Sequence, residues 1–89
     1  MTEHIEALYH PDSNSIYVRR GVDLTTNYGK SALVHELVHF LQYQHGMERK
    51  VACVNALEKD AYRVQAAYLR QKGEQPGFDG FTIIARSMC

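Results

Sequence analysis

The spacing of hydrophobic and polar residues changes along the chain and first predicts a β-hairpin. Residues 4–9 and 15–20 are short segments rich in Ile, Leu, Tyr and Val. Between them, residues 10–14 are turn formers, reading His-Pro-Asp-Ser-Asn, which is typical of two strands joined by a turn. A hairpin over residues 4–20 is too small to be stable alone, so we expect it to lie against a helix.

The remaining apolar residues recur at helical spacing and predict three further elements. The first is a helix over residues 27–45, with a polar N-cap at Thr26 or Asn27. The second is a helix over residues 51–72, and the third is a short helix or packed tail over residues 79–89. The core-facing stripe of the second helix consists of Val54, Leu57, Ala61, Val64 and Tyr68. The pattern therefore predicts an α+β fold, with a small antiparallel sheet packed on two consecutive helices.

Size and charge narrow the classes of function. Eighty-nine residues allow one domain over residues 1–89, close to the size at which a single core is only marginally sufficient. Ten Lys and Arg residues balance ten Asp and Glu residues without a basic stripe, so charge gives no argument for nucleic acid. The apolar runs are far shorter than a membrane span. We therefore expect a monomer that binds neither nucleic acid nor a membrane.

The two cysteines, Cys53 and Cys89, do not form the C-x-x-C pair of a zinc finger. They are either free thiols of a cytosolic protein or one disulfide of an exported protein. We favour the disulfide, because a tail that ends in Cys89 is expected to be held through it. A disulfide in turn favours a periplasmic or extracellular location.

The chemistry of the chain is concentrated in the first helix, where His35-Glu36-Leu37-Val38-His39 forms an H-E-x-x-H pattern. On a helix the two histidines lie one turn apart and point the same way, so their imidazoles can bind one zinc ion. Glu36 lies about 100° round the helix, within reach of a water beside that ion. The pattern also occurs by chance, but the apolar surroundings would make unpartnered histidines costly here.

Two histidines leave zinc short of the usual three protein ligands plus water, and two residues compete for the third place. His45 follows His39 by six residues, as in H-E-x-x-H-x-x-G-x-x-H proteases, but Gln42 replaces the helix-breaking glycine. On a continuous helix, His45 would lie about 9 Å further along the axis and about 120° round it. Glu58 lies on the next predicted helix, with eighteen residues between it and His39. That length lets the chain return alongside the first helix, so we predict Glu58 as the third ligand.

The sequence H-E-L-V-H, followed after eighteen residues by Glu58 in E-K-D-A-Y, resembles the gluzincin group of zinc metallopeptidases. The resemblance covers about residues 31–69, and the short length is similar to that of the minimal members called minigluzincins. It implies a small sheet over an active-site helix and a glutamate helix. It also implies that Zn²⁺ is held by His35, His39 and Glu58. In many gluzincins an Asp four residues after the glutamate supports a ligand histidine, and this chain has Tyr62 at that position.

The resemblance implies zinc-dependent hydrolysis of a peptide or protein substrate. Glu36 would act as the general base, taking a proton from water and passing it to the leaving amine. Tyr62, one turn past Glu58, is the first candidate to donate a hydrogen bond to the oxyanion. An extended substrate is expected to pair with an edge strand of the hairpin, for which residues 15–20 are a candidate.

Two other interpretations remain open at this point. In a latent enzyme, Cys89 or residues 81–88 would lie over the zinc and displace its water. In a zinc-stabilised binding or regulatory module, the metal would serve folding, and no substrate would be turned over.

Overall fold

The computed structural model describes residues 6–89, in which a β-hairpin precedes a set of helices. The elements are β1 (Ala7–His10), β2 (Ser15–Val18), α1 (Asn27–Gln44), α2 (Glu58–Gln71) and α3 (Gly80–Arg86). Single turns of 3-10 helix occupy Met47–Arg49 and Val54–Leu57, between α1 and α2. This architecture confirms the predicted α+β fold. Residues 4 and 5 of the predicted hairpin lie outside the described residues.

The hairpin packs on α1 through Tyr9. Tyr9 lies in β1 opposite Ile16 of β2, and its side chain is buried. Its ring centroid is 6.1 Å from that of Phe40 and 5.5 Å from that of Tyr43, both on α1. Its hydroxyl donates to Asn14 Oδ1 at 2.8 Å, which ties the turn to the strand. Aromatic pairs at these separations add to the stability given by burial, so α1 is the covering helix that the hairpin needs.

Local capping fixes both ends of α1. The Thr26 hydroxyl accepts a hydrogen bond from the Gly29 N–H, which identifies Thr26 as the N-cap. Gly29 is buried where a Cβ would come within 2.0 Å of the Asp23 carbonyl oxygen, so a larger residue would force the loop away. At the other end, His45 is the C-cap and Gly46 adopts a left-handed φ of 68°. Glycine adopts that conformation without strain, and the chain turns away from the helix there.

The second helix begins later than predicted. The spacing predicted a helix from residue 51, whereas α2 starts at Glu58 and is preceded by the 3-10 turn Val54–Leu57. Cys53 is extended, with φ −154° and ψ 163°, and it is joined to Cys89 by a disulfide. An extended, cross-linked residue cannot continue a helix, so the first part of the prediction was wrong.

The buried face of α2 is also rotated from the predicted stripe. Val54 and Val64 were predicted to face the core but are 56% and 44% exposed. The residues of this region that are buried are Leu57, Ala61, Tyr62, Ala66 and Leu69. Because α2 turns toward α1, the polar line that contains Glu58 and Gln65 lies at the helix interface rather than beside it.

The predicted disulfide is present, and it fastens the end of the chain. Cys53 and Cys89 are bonded across 36 positions of sequence. Asn55 Nδ2 also donates to the Met88 carbonyl oxygen at 3.2 Å. The segment after α3 is therefore held against the turn that precedes α2. Within the described part of the chain, none of the helices combines the length and apolar character needed to cross a membrane.

Candidate metal centre

Three potential metal ligands converge where α1 packs against α2. His35 and His39 project from one face of α1, and Glu58 is the first residue of α2. One donor atom from each residue lies within 4.8 Å of the other two. His35 Nε2 is 3.0 Å from Glu58 Oε1, and His39 Nε2 is hydrogen-bonded to the same oxygen. The structure thus brings together the three residues predicted as ligands.

The donor set fits Zn²⁺. Two imidazole nitrogens and one carboxylate oxygen are the three protein ligands of many catalytic zinc sites, in which water takes the fourth position. Here both Nε2 atoms point toward one carboxylate oxygen, so the donors share a focus. Both Nδ1 atoms are engaged by other side chains, which leaves Nε2 of each histidine as the coordinating atom.

Glutamine side chains orient the two histidines. Gln42 Oε1 accepts from His39 Nδ1 at 2.9 Å, and Gln65 Oε1 accepts from His35 Nδ1 at 2.8 Å. Gln42 Nε2 donates to the Leu57 carbonyl oxygen at 2.9 Å, so its other end presents the oxygen to His39. Because an amide oxygen can only accept, Nδ1 carries the proton and the Nε2 lone pair faces the metal position.

A similar argument fixes the amide of Gln65. The Ser31 hydroxyl donates its proton to the Tyr28 carbonyl oxygen at 2.7 Å. The Ser31 oxygen can therefore accept from Gln65 Nε2, which lies 3.2 Å away. Gln65 Oε1 is then directed at His35, and a buried serine of α1 determines the orientation of a metal ligand through one intermediate residue.

Sequence reasoning did not find the two glutamines. Gln42 was considered only as a replacement for a glycine, and Gln65 only as part of a semi-buried line. The supporting acidic position of gluzincins is occupied by Tyr62, whose ring packs edge-on against the His35 ring with centroids 4.5 Å apart. Gln65, almost one turn further along the same face, accepts the His35 N–H instead. The available signal was the spacing of polar residues on α2, since 58 and 65 are two turns apart.

Replacing Gln42 by Leu is expected to weaken zinc binding by about ten- to a hundredfold, the usual effect of losing such an orienting contact. The change removes the acceptor for His39 and the donor to the carbonyl next to Glu58. Zinc affinity is measured by competition with a chromophoric chelator. Gln44→Leu is the matched control, because Gln44 is an exposed glutamine of α1. An unchanged affinity in Gln42→Leu would show that the His39 ring is oriented by other contacts.

Glu36 is placed between β1 and the two histidines. Its Oε1 accepts from the Tyr9 backbone N–H at 2.8 Å, and its Oε2 lies 3.9 Å from His35 Nε2. Burial raises the pKa of the Glu36 carboxyl, although the Tyr9 N–H and the charges of His35 and His39 act to lower it. A raised carboxyl pKa suits a group that takes up and releases a proton near neutral pH.

Glu58 and His39 polarise each other. Burial acts to raise the pKa of Glu58, but hydrogen bonds from His35 and His39 outweigh it and lower that pKa to about 2. Burial acts to lower the pKa of His39, but the hydrogen bond and charge of Glu58 outweigh it and raise that pKa above its ordinary value. Glu58 is therefore ionised throughout the neutral range, as a metal ligand must be.

The three ligands open into a cleft of about 500 Å³, bordered by β1, α1, α2 and α3. Its β-sheet border consists of residues 6–9, and no part of the candidate edge at residues 15–20 lines it. The candidate edge was therefore wrong. The Glu6 carbonyl accepts from the Arg19 N–H across the hairpin, whereas the Tyr9 N–H points away from β2 to Glu36. By the alternation of an antiparallel pair, the backbone groups of Ala7 also face the cleft edge.

Residues weighed as alternative ligands lie elsewhere. His45 is exposed at the C-cap of α1 and is not among the three residues that converge. Cys89 is bonded to Cys53, so it offers no thiolate to a metal. Phe81 and Met88 are 79% and 65% exposed, and their side chains face solvent.

Comparison with curated proteins and with solved structures gives no match. Function must therefore be inferred from the residues and geometry of the cleft. A family model described as a domain of unknown function (DUF6647) matches residues 1–89, and the chain belongs to that family.

Proposed function

We propose that this protein is a zinc-dependent metallopeptidase. The observation that carries the proposal is the convergence of His35, His39 and Glu58 beside Glu36 in an open cleft. A structural zinc site is usually closed by four protein ligands, whereas three ligands in a cleft leave a position for water or substrate. Zn²⁺, when bound, supplies a Lewis acid that polarises a carbonyl and lowers the pKa of water.

The contacts of Glu36 assign its role as general base. Oε1 is occupied by the Tyr9 N–H, and Oε2 is the oxygen nearer the His35 Nε2 atom. Oε2 accordingly takes the proton from the attacking water and passes it to the nitrogen of the leaving amine. The Tyr9 contact holds the carboxylate in place during both transfers, because it comes from the backbone of a paired strand.

Tyr62 is the proposed donor to the oxyanion that forms on the scissile carbonyl. Its side chain borders the cleft and packs against the His35 ring. Its hydroxyl oxygen accepts from Arg86 Nη1 at 2.6 Å. Since a guanidinium only donates, the phenol proton is directed to a group other than Arg86. A preorganised donor at such a position lowers the barrier by roughly 3–4 kcal/mol in related chemistry.

The substrate chain is proposed to lie along β1. The outward-facing backbone groups of Ala7 can pair with an extended peptide, as an additional strand pairs with an exposed sheet edge. Glu36 and the histidines lie directly below this strand in the same cleft. A peptide bond in the paired segment would therefore lie over the ligands. The disulfide further supports an exported protein, since such bonds persist mainly in oxidising compartments.

Zinc-dependent cleavage of a fluorescence-quenched peptide library tests the proposal. We expect turnover with one equivalent of zinc, loss of turnover after dialysis against a strong chelator, and recovery when zinc is returned. A library that remains intact, while zinc binds and raises the melting temperature, would contradict the enzyme and support a metal that serves folding alone.

A further inference from the structure

Arg86 brings a positive charge into the proposed substrate cleft. Of the described residues that line this cleft, Arg86 alone is a lysine or arginine. The carboxylates of the lining are Glu6, Glu36 and Glu58. A substrate that carries a negative charge is therefore repelled by most of the ionised lining and attracted at one position, on α3.

Aromatic contacts hold the guanidinium close to the metal ligands. Arg86 Nη1 donates to the Tyr62 hydroxyl, and the guanidinium carbon lies 5.6 Å from the centroid of the Tyr62 ring. The opposite contacts of Tyr62 are the rings of His35 and Phe78, at centroid distances of 4.5 Å and 5.1 Å. A single aromatic ring thus separates Arg86 from a ligand histidine.

The helix that carries Arg86 is fastened at both ends. Asp79 caps its start, with its side chain accepting from the Thr82 N–H at 2.9 Å. The residues after it are held by the Cys53–Cys89 disulfide and by the hydrogen bond from Asn55 to the Met88 carbonyl. A side chain on such a helix loses less freedom on binding a ligand than one on a loose tail.

We propose that Arg86 binds a carboxylate of the substrate, so that preferred substrates carry one beside the scissile bond. This inference rests on the proposed peptidase function and specifies its substrate class. The planar fork of a guanidinium matches a carboxylate with two parallel hydrogen bonds, and its cation offsets the repulsion from Glu6 and Glu36. An Asp or Glu side chain and a free peptide C-terminus share this chemistry.

The alternative role of Arg86 is that of a cation at a helix end, where it interacts favourably with the helix dipole. Arg70 provides a matched control, because it occupies the last turn of α2 as Arg86 occupies the last turn of α3. Arg70 is exposed and does not line the cleft. Loss of a helix-end cation should therefore affect both variants alike, whereas loss of carboxylate recognition should affect Arg86→Met alone.

The kinetic test compares three otherwise identical peptide series: neutral with an amide terminus, with an Asp beside the scissile bond, and with a free C-terminus there. We expect wild type to favour one or both carboxylate series. Arg86→Met should lower kcat/KM for the favoured series by about ten- to a hundredfold, mainly through KM, as expected for a hydrogen-bonded charge. Its effect on the neutral series should be at least tenfold smaller, and Arg86→Lys should restore part of the loss. Equal losses on all three series, or no preference in wild type, would overturn the proposal.

A binding test separates this inference from the peptidase function itself. Zinc-loaded Glu36→Gln is titrated by calorimetry with acetyl-Ala-Ala-Ala, its C-terminal amide and acetyl-Ala-Asp-Ala amide. We expect a carboxylate peptide to bind about tenfold more tightly than the neutral amide, and this difference to vanish when Arg86→Met is added but not when Arg70→Met is added. This result, in a protein that cleaves no peptide, would keep Arg86 as a carboxylate site and reject the peptidase. No difference between acid and amide peptides would reject the site.

Discussion

Replacing Glu36 by Gln is expected to reduce peptide hydrolysis by roughly a hundredfold to ten-thousandfold, the usual contribution of a general base. Gln has nearly the same shape, and its side-chain oxygen can still accept from the Tyr9 N–H. It cannot take the proton from water. Because Glu36 is not among the three converging ligands, zinc affinity should stay within about threefold of wild type. Turnover and zinc stoichiometry are measured on the same preparations.

Glu48→Gln is the control for removing a partly buried carboxylate, since Glu48 lies outside the cleft. It should retain both turnover and zinc. Turnover that survives in Glu36→Gln would exclude Glu36 as the base. Loss of zinc along with turnover would instead show that Glu36 helps to hold the metal, and the assignment of ligand and base would need to be revised.

Replacing Glu58 by Ala is expected to weaken zinc binding by more than about a hundredfold, because it removes one of three ligands and so exceeds the effect of an orienting contact. The two Nε2 atoms also lose the oxygen that they share. After dialysis, elemental analysis should find about one zinc per wild-type chain and little in the variant. Zinc at a thousand times its dissociation constant stabilises wild type by about 4 kcal/mol, so the melting temperature should rise in wild type only.

Asp60→Ala is a close match for this change. Asp60 is a second acidic residue in the first turn of α2, but it is exposed and lies outside the converging group. Any loss of favourable charge at the helix start is common to both variants. Zinc retained by Glu58→Ala at the wild-type level would mean that the third ligand is another residue.

The part of the centre that lies on one helix could be predicted from sequence, because helical geometry alone determines it. Residues 35 and 39 face the same way on any α-helix, and the N-cap and the C-terminal glycine of α1 were visible as local signals. The position of Glu58 needed one more assumption, that consecutive helices pack side by side. That assumption held because α1 and α2 are joined by a short connection.

The remaining features depend on contacts between distant segments, and local patterns did not carry them. The late start of α2 follows from an extended Cys53, and the helical spacing of residues 51–57 gave no sign of it. Gln42 orients His39 only because the Leu57 carbonyl is close enough to hold its amide. The strand that borders the cleft depends on which edge of the hairpin meets α1, and alternation along one strand does not determine that.

The disulfide gives the centre a dependence on oxidative maturation. Glu58 and Arg86 both lie within the loop that Cys53 and Cys89 close, whereas the two histidines lie outside it. Closing a loop of this length reduces the entropy of the unfolded chain by an amount worth roughly 4 kcal/mol, a large share of the stability of a small domain. A newly made chain with reduced cysteines keeps its H-E-x-x-H helix but lacks the covalent closure of the segment that bears the third ligand and the guanidinium. Assembly of a competent centre is thereby coupled to arrival in a compartment that oxidises thiols.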